Sequence, residues 1–227
     1  MRRSTRHILE FQSARSFARH VLRLVILLVC AVADGQVQAQ VVQGCGSLDN
    51  AYGPFDYRER TSTRQKELEL VERFHFSAEV ESLRIGKSQR NPIGDLDYTL
   101  RAFPNHYRAL NTISKYQLRG GRYWPNPSVQ SADCYFRRAI AFAAQDGVTH
   151  MLYGNYLAKK GDVDGAHTQY DEALKINPTD AELNYNVGLF FLNRGDLERA
   201  KQYAKVAYDG GYPLKGLQKM IEAAESK

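Results

Sequence analysis

Over the C-terminal half of the chain, apolar residues recur at three- and four-residue spacing, the period that gathers them on one stripe of an α-helix. Leu110, Ile113 and Tyr116 form such a stripe over residues 104–118, and Leu217, Met220 and Ile221 form another over 214–224, where Lys215, Lys219 and Glu222 take the opposite face. The stripes break at Gly161-Asp162 and Gly195-Asp196. In each pair the glycine suits a left-handed residue after one helix and the aspartate caps the next. Pro178, following Ile176-Asn177, ends another helix. The run Gly120-Gly121-Arg122-Tyr123-Trp124-Pro125-Asn126-Pro127 interrupts the pattern and is predicted as an insertion between two helices.

The N-terminal part reads differently. Residues 45–58 are rich in turn formers and aromatics, so residues 40–103 are predicted as an irregular strap lying on the helices. Within it, residues 64–74 fit a helix or a strand. Ser77 is suited to cap a short helix carrying Val80 and Leu83 and stopped by Gly86.

An internal repeat organises the helical part. At one offset of 34 residues, Gly154 aligns with Gly188, Gly161 with Gly195, Asp162 with Asp196, Ala166 with Ala200 and Ala173 with Ala207. Small residues where two antiparallel helices meet allow close approach, and Tyr170 is placed to fill the wedge beside Gly154. The unit resembles the tetratricopeptide repeat (TPR), with Gly154, Leu157, Ala166, Tyr170, Ala173 and Pro178 at the family's characteristic positions. The next repeat departs from it, with Ala204 where the aromatic belongs and Pro213 one residue late. Stepping back 34 residues gives Ala132, Phe136 and Ala139, so residues 131–144 are read as the second helix of an earlier repeat. Its first helix is placed at 104–118, with Pro104 in the opening turn.

The resemblance implies an all-α solenoid of about three repeats. The predicted organisation is a signal peptide at 1–39, the strap at 40–103, the TPR domain at 104–212 and a capping helix at 213–227. Tyr52-Gly53-Pro54-Phe55-Asp56-Tyr57 and the stretch 95–106 are also similar to exported proteobacterial TPR proteins.

Charge adds little once its distribution is considered. The chain carries +6 overall, but the first 39 residues hold six arginines against Glu10 and Asp34, which leaves 25 basic and 23 acidic residues beyond them. That balance gives no case for nucleic acid. The same arginines precede ten uncharged residues at 24–33, and Val37-Gln38-Ala39 offers small residues for signal-peptidase cleavage before Gln40. The apolar run is about half the ~20 residues a membrane-spanning helix needs. A periplasmic or secreted protein is therefore expected, with an inner-membrane anchor through an uncleaved signal as the alternative and lipidation at Cys30 disfavoured by Val29.

Loss of Cys30 would leave Cys45 and Cys134, an even number in an oxidising compartment. They are expected to form a disulfide, with two buried free thiols as the alternative reading. No cysteine or histidine spacing suits a metal site, and no phosphate loop, nucleophile elbow or dinucleotide fingerprint is present. Neither a cofactor nor a small-molecule substrate is therefore expected. Asp95, Asp97 and His106, with His75 as a fourth member, are the candidates for a hydrolase or cation site. In extended backbone the two aspartates would share a face, with His106 as base. The competing reading is a structural polar network. His150 and His167 are read as solvated.

Resemblance to the TPR family implies a concave groove, lined by the first helix of each pair, that binds a protein or peptide. The groove positions fall on Met151, Asn155 and Lys159 in one repeat and on Tyr185, Leu189 and Asn193 in the next. Met151 stands where members that grip a terminal carboxylate carry lysine. A non-enzymatic scaffold is expected, in envelope, pilus or secretion assembly.

Overall fold

The computed structural model describes residues 41–88, 91–120 and 130–226. The expected signal peptide, Cys30 and most of the Gly/Pro insertion lie outside them. A two-stranded antiparallel ribbon, β1 (Val41–Val42) and β2 (Gly46–Ser47), is followed by ten helices among the described residues. They are α1 (Ser62–His75), α2 (Ala78–Glu81), α3 (Pro92–Ala102), α4 (Tyr107–Leu118), α5 (Ala132–Phe142), α6 (Gly147–Lys160), α7 (Val163–Ile176), α8 (Ala181–Leu192), α9 (Leu197–Asp209) and α10 (Gly216–Glu225).

Helix starts follow local chemistry. Asp146, Asp162, Asp180 and Asp196 each accept a backbone N–H in the first turn of α6, α7, α8 and α9, satisfying donors that the helix itself cannot. Gly161 closes α6 at φ 90°, a conformation costly for any residue with a Cβ. The pairs α6–α7 and α8–α9 pack along their lengths. Ala166, Ala173, Ala200 and Ala207 are buried at these contacts, and a Cβ on Gly154 would come 2.8 Å from Cε1 of Tyr170. The repeat residues thus set the approach of each pair, as the 34-residue pattern requires.

The strap is more regular than its composition suggests. Residues 62–75 form a helix capped by Thr61, and residues 92–102 form another whose cap is the Asn91 side chain, with Pro92 at its start. Asn-Pro, which reads as a turn, serves here as cap and first helical residue. The corner joining α3 to α4 has the form of the two corners downstream. Phe103, Ala143 and Asn177 have φ/ψ of −131/85°, −137/69° and −132/70°, and each carbonyl accepts from the N–H three residues later. The helical stack therefore continues upstream of residue 104. Pro104 lies in the buried corner, not in the opening turn of α4, because the imidazole of His106 takes the cap by accepting the Ala109 N–H.

Residues 52–58 dock on these corners. The Phe55 N–H donates to Ala102 O at 2.8 Å, Tyr57 N–H donates to Asn105 Oδ1 at 2.9 Å, and Arg58 donates to Gln145 O at 3.0 Å. The ribbon is held to α5 by a Cys45–Cys134 disulfide closing a separation of 89 residues, with Cα atoms 5.3 Å apart. In the chain-entropy account, a loop of that length contributes about 4 to 5 kcal/mol at most. Of the short helix after Ser77, α2, Val80 is buried, while Leu83 lies beyond its end at φ 60°.

Candidate functional site

The first helices of consecutive pairs, α6 and α8, lie side by side. Asn155, Ala158 and Lys159 occur at i, i+3 and i+4 on α6, and Asn186, Leu189 and Asn193 on and just past α8 at i, i+3 and i+7. Those spacings place each set on one face. Together with Val163, Tyr170, Phe190 and Arg194 they line a cleft of about 560 Å³. The Tyr170 hydroxyl donates to Asn155 Oδ1 at 2.7 Å and fixes that amide; burial pushes the Tyr170 phenol up, so it stays a neutral donor. The Arg194 guanidinium lies 5.4 Å from the Phe190 ring centre, within cation–π reach. The lining offers an apolar floor, three amides and two cations with no acid, an arrangement suited to an extended segment that presents carbonyls and negative charge.

Four of the six expected groove residues, Asn155, Lys159, Leu189 and Asn193, line this cleft. Met151 and Tyr185 do not. Met151 is 3% exposed, with Asn186 Nδ2 3.8 Å from its sulfur. Tyr185 is 9% exposed, its ring centre 4.3 Å from that of Tyr212, and the Tyr185 hydroxyl would be 2.7 Å from a Cβ on Gly216. The segment leading into α10 thus covers Tyr185.

Asp95, Asp97 and His106 are not brought together. Asp95 and Asp97 sit in helical, not extended, backbone, so a separation of two residues directs them apart. Asp95 accepts from the backbone N–H of Lys87 at 2.7 Å and lies 2.9 Å from His75 Nδ1, whose ring stacks on Tyr98 at 3.8 Å. Asp97 Oδ1 accepts from the Tyr135 hydroxyl at 2.7 Å and Oδ2 from Arg101 Nε at 3.0 Å. His106 accepts the Ala109 N–H through Nδ1, so it is neutral and offers its Nε2–H to Glu72 at 3.0 Å. Burial pushes the His106 imidazole down, which agrees with a neutral ring, and the His106 hydrogen bond together with nearby Arg108 holds the Glu72 carboxyl down. These groups form three separate polar contacts, each tying the N-terminal helices to their neighbours.

His167 is exposed beside Asp171, whereas His150, expected in solvent, is buried, with ring nitrogens 2.8 Å from Gln169 Oε1 and 3.3 Å from Ala144 O. Its Nε2 contact caps the corner between α5 and α6. Among the described residues, no group of three or more His, Cys, Asp or Glu is arranged to hold a metal ion, and no helix is long and apolar enough to cross a membrane.

Helices paired and stacked in this way define a helical-repeat protein. The family model described as TPR repeat matches residues 154–195, from the middle of α6 through the turn after α8, which supports a repeat of the TPR class there. Repeats of this class suggest a protein–protein interaction scaffold. No curated protein matches the chain.

Proposed function

We propose that this protein is an exported, non-enzymatic scaffold that holds an extended, acid-bearing segment of a protein partner in the cleft between α6 and α8, within an envelope, pilus or secretion assembly. The observation that carries this reading is the cleft itself. Lys159 and Arg194 face no acid across its lining, Asn155 is pre-oriented by Tyr170, and Leu189 and Phe190 supply apolar contact. Cations and amides on a rigid helical support bind an extended chain with little ordering cost on the scaffold side. Export is supported by the uncharged run at 24–33 that follows the arginines, and by the pairing of the two remaining cysteines.

The test uses a photocrosslinking residue at Asn193 in the full chain, expressed in its native host. Adducts to one or a few proteins are expected, and Lys159→Glu combined with Arg194→Glu should remove them while leaving thermal unfolding unchanged. Adducts that persist undiminished in the charge-reversed protein would overturn the assignment of this cleft.

A further inference from the structure

A second, smaller pocket of about 210 Å³ lies beside the disulfide, lined by Cys45, Gly46, Ser47, Asp97, Arg101, Gln130, Tyr135 and Arg138. Its unusual member is Arg138, a residue only 5% exposed on the inward face of α5. Nη1 of Arg138 donates to Cys45 O at 3.1 Å and to Ser47 O, so its satisfied contacts are neutral carbonyls. Its Nε is buried without a hydrogen-bond partner. Asp97, the one acid in the lining, has both oxygens engaged elsewhere, Oδ1 by Tyr135 and Oδ2 by Arg101, and among the described residues Arg138 makes no ion pair.

A buried charge without a counter-ion is costly, and an orphaned donor on the same group adds to the cost. We propose that this pocket is an anion site that takes a single carboxylate, with Arg138 as its principal contact and Arg101 at its mouth. This pocket shares no lining residue with the cleft between α6 and α8.

Three features select a carboxylate. A guanidinium presents planar, paired N–H groups that match two carboxylate oxygens, and the unpartnered Nε–H belongs to such a pair. Two arginines against one aspartate leave the lining one positive charge in excess, which a monoanion neutralises, whereas a phosphate dianion would bring surplus negative charge against Asp97. The volume admits a short acid or the end of an acidic side chain. Because the hairpin bearing Cys45 and Ser47 forms one wall, occupancy would also brace the ribbon against α5.

The test is a titration of the full chain by NMR and by thermal unfolding, with sodium acetate, sodium phosphate and a blocked tripeptide whose one carboxylate is a glutamate side chain. Sodium chloride at equal ionic strength is the reference. Acetate should move the Arg138 Nε–H resonance and raise Tm by about 2 to 4 °C near saturation; phosphate should do neither. A matching response to the peptide would identify an acidic side chain as an accepted source, and its absence would restrict the site to free acids. Arg138→Gln should abolish the acetate response. If that variant fails to fold, Arg101→Gln, at a more exposed arginine, serves instead and should weaken the acetate midpoint several-fold. A silent Nε–H resonance, or an acetate response that survives both substitutions, would overturn the proposal and leave Arg138 as a clamp on two carbonyls.

Discussion

A Cβ on Gly188 would lie 2.5 Å from Cδ2 of Leu217. In the preceding pair the equivalent glycine, Gly154, meets the ring of Tyr170 from its own second helix. The later pair has Ala204 in place of that aromatic, and the capping helix α10 supplies the missing bulk through Leu217, which is fully buried. The departure from the repeat pattern at Ala204 and the presence of a capping helix are therefore one adaptation. Leu217→Ala should cost about 2 to 5 kcal/mol as a cavity opens against Gly188. Gly188→Ala should destabilise the normal protein by steric conflict, yet stabilise the Leu217→Ala protein by up to about 1 kcal/mol, since the clash is gone and alanine is the better helix former. Urea unfolding of the two single variants and the double variant measures this reversal of sign. Strict additivity would show that the contact does not govern the packing of α10.

Asp97 and Tyr135 join α3 to the start of α5 through a buried hydrogen bond of 2.7 Å. Asp97→Asn keeps the shape but removes the charge that also pairs with Arg101, and the amide cannot accept equally well from both partners. A loss of about 1 to 3 kcal/mol is expected in thermal or urea unfolding. Tyr135→Phe, which strands Asp97 Oδ1, should lose a similar amount. An Asp97→Asn protein of undiminished stability would remove the polar-network account of this residue.

Acid should loosen the N-terminal helices through His106. Its imidazole is held below its ordinary value of 6.5 by burial, so between that value and the lower folded one the unfolded chain binds more protons than the native state. Stability is then complete above about pH 6.5 and falls as pH drops below it. The charged groups facing the ring are Glu72 from α1 and Arg108 from α4, with Glu81 of α2 paired to Arg108; Glu72 supports protonation and Arg108 opposes it. Glu72, held down by its bond from His106, contributes only in a lower window, below its ordinary value of 4.5. His106→Asn keeps a capping side chain but cannot titrate, so its stability should change less between pH 7 and 5 than that of the normal protein. Equal slopes for the two proteins would assign the acid sensitivity elsewhere.

The repeat region was legible because each of its contacts is local. Gly154, Ala166, Tyr170 and Ala173 meet within one helical pair, so a 34-residue offset exposes them. What lay beyond reach depended on partners distant in the chain. Tyr185 has a groove position by register, but its cover, Tyr212 and Gly216, arrives from a segment whose course no spacing reveals. Asp95 and Asp97 looked like a paired-carboxylate site because extended backbone would put residues two apart on one face. The readable signal was Asn91 followed by Pro92, a cap and a first helical residue, which places both aspartates in a helix and parts them. Arg138 carried no signal, since its role rests on carbonyls more than 90 residues earlier in the chain.

Tyr185 and the cleft residues should separate cleanly by substitution. Tyr185 is packed between α8 and the segment entering α10, with Tyr212 against its ring and Tyr208 6.5 Å away edge-on. Tyr185→Ala removes an aromatic side chain from a site whose neighbours belong to one capping unit, so a loss of about 3 to 5 kcal/mol is expected. Faster amide hydrogen exchange should appear first in α10 and the end of α9, because those elements lose the surface they dock on. Lys159→Glu and Asn193→Ala alter exposed positions of the cleft and should stay within about 0.5 kcal/mol of the normal protein. Any loss of partner capture in the Tyr185 variant would thus report unfolding of the C-terminal cap, whereas the same loss in the Lys159 variant would report the cleft. A Tyr185→Ala protein that unfolds at the normal temperature, with α10 still protected from exchange, would show that the tyrosine does not hold the cap and would return it to the list of binding residues.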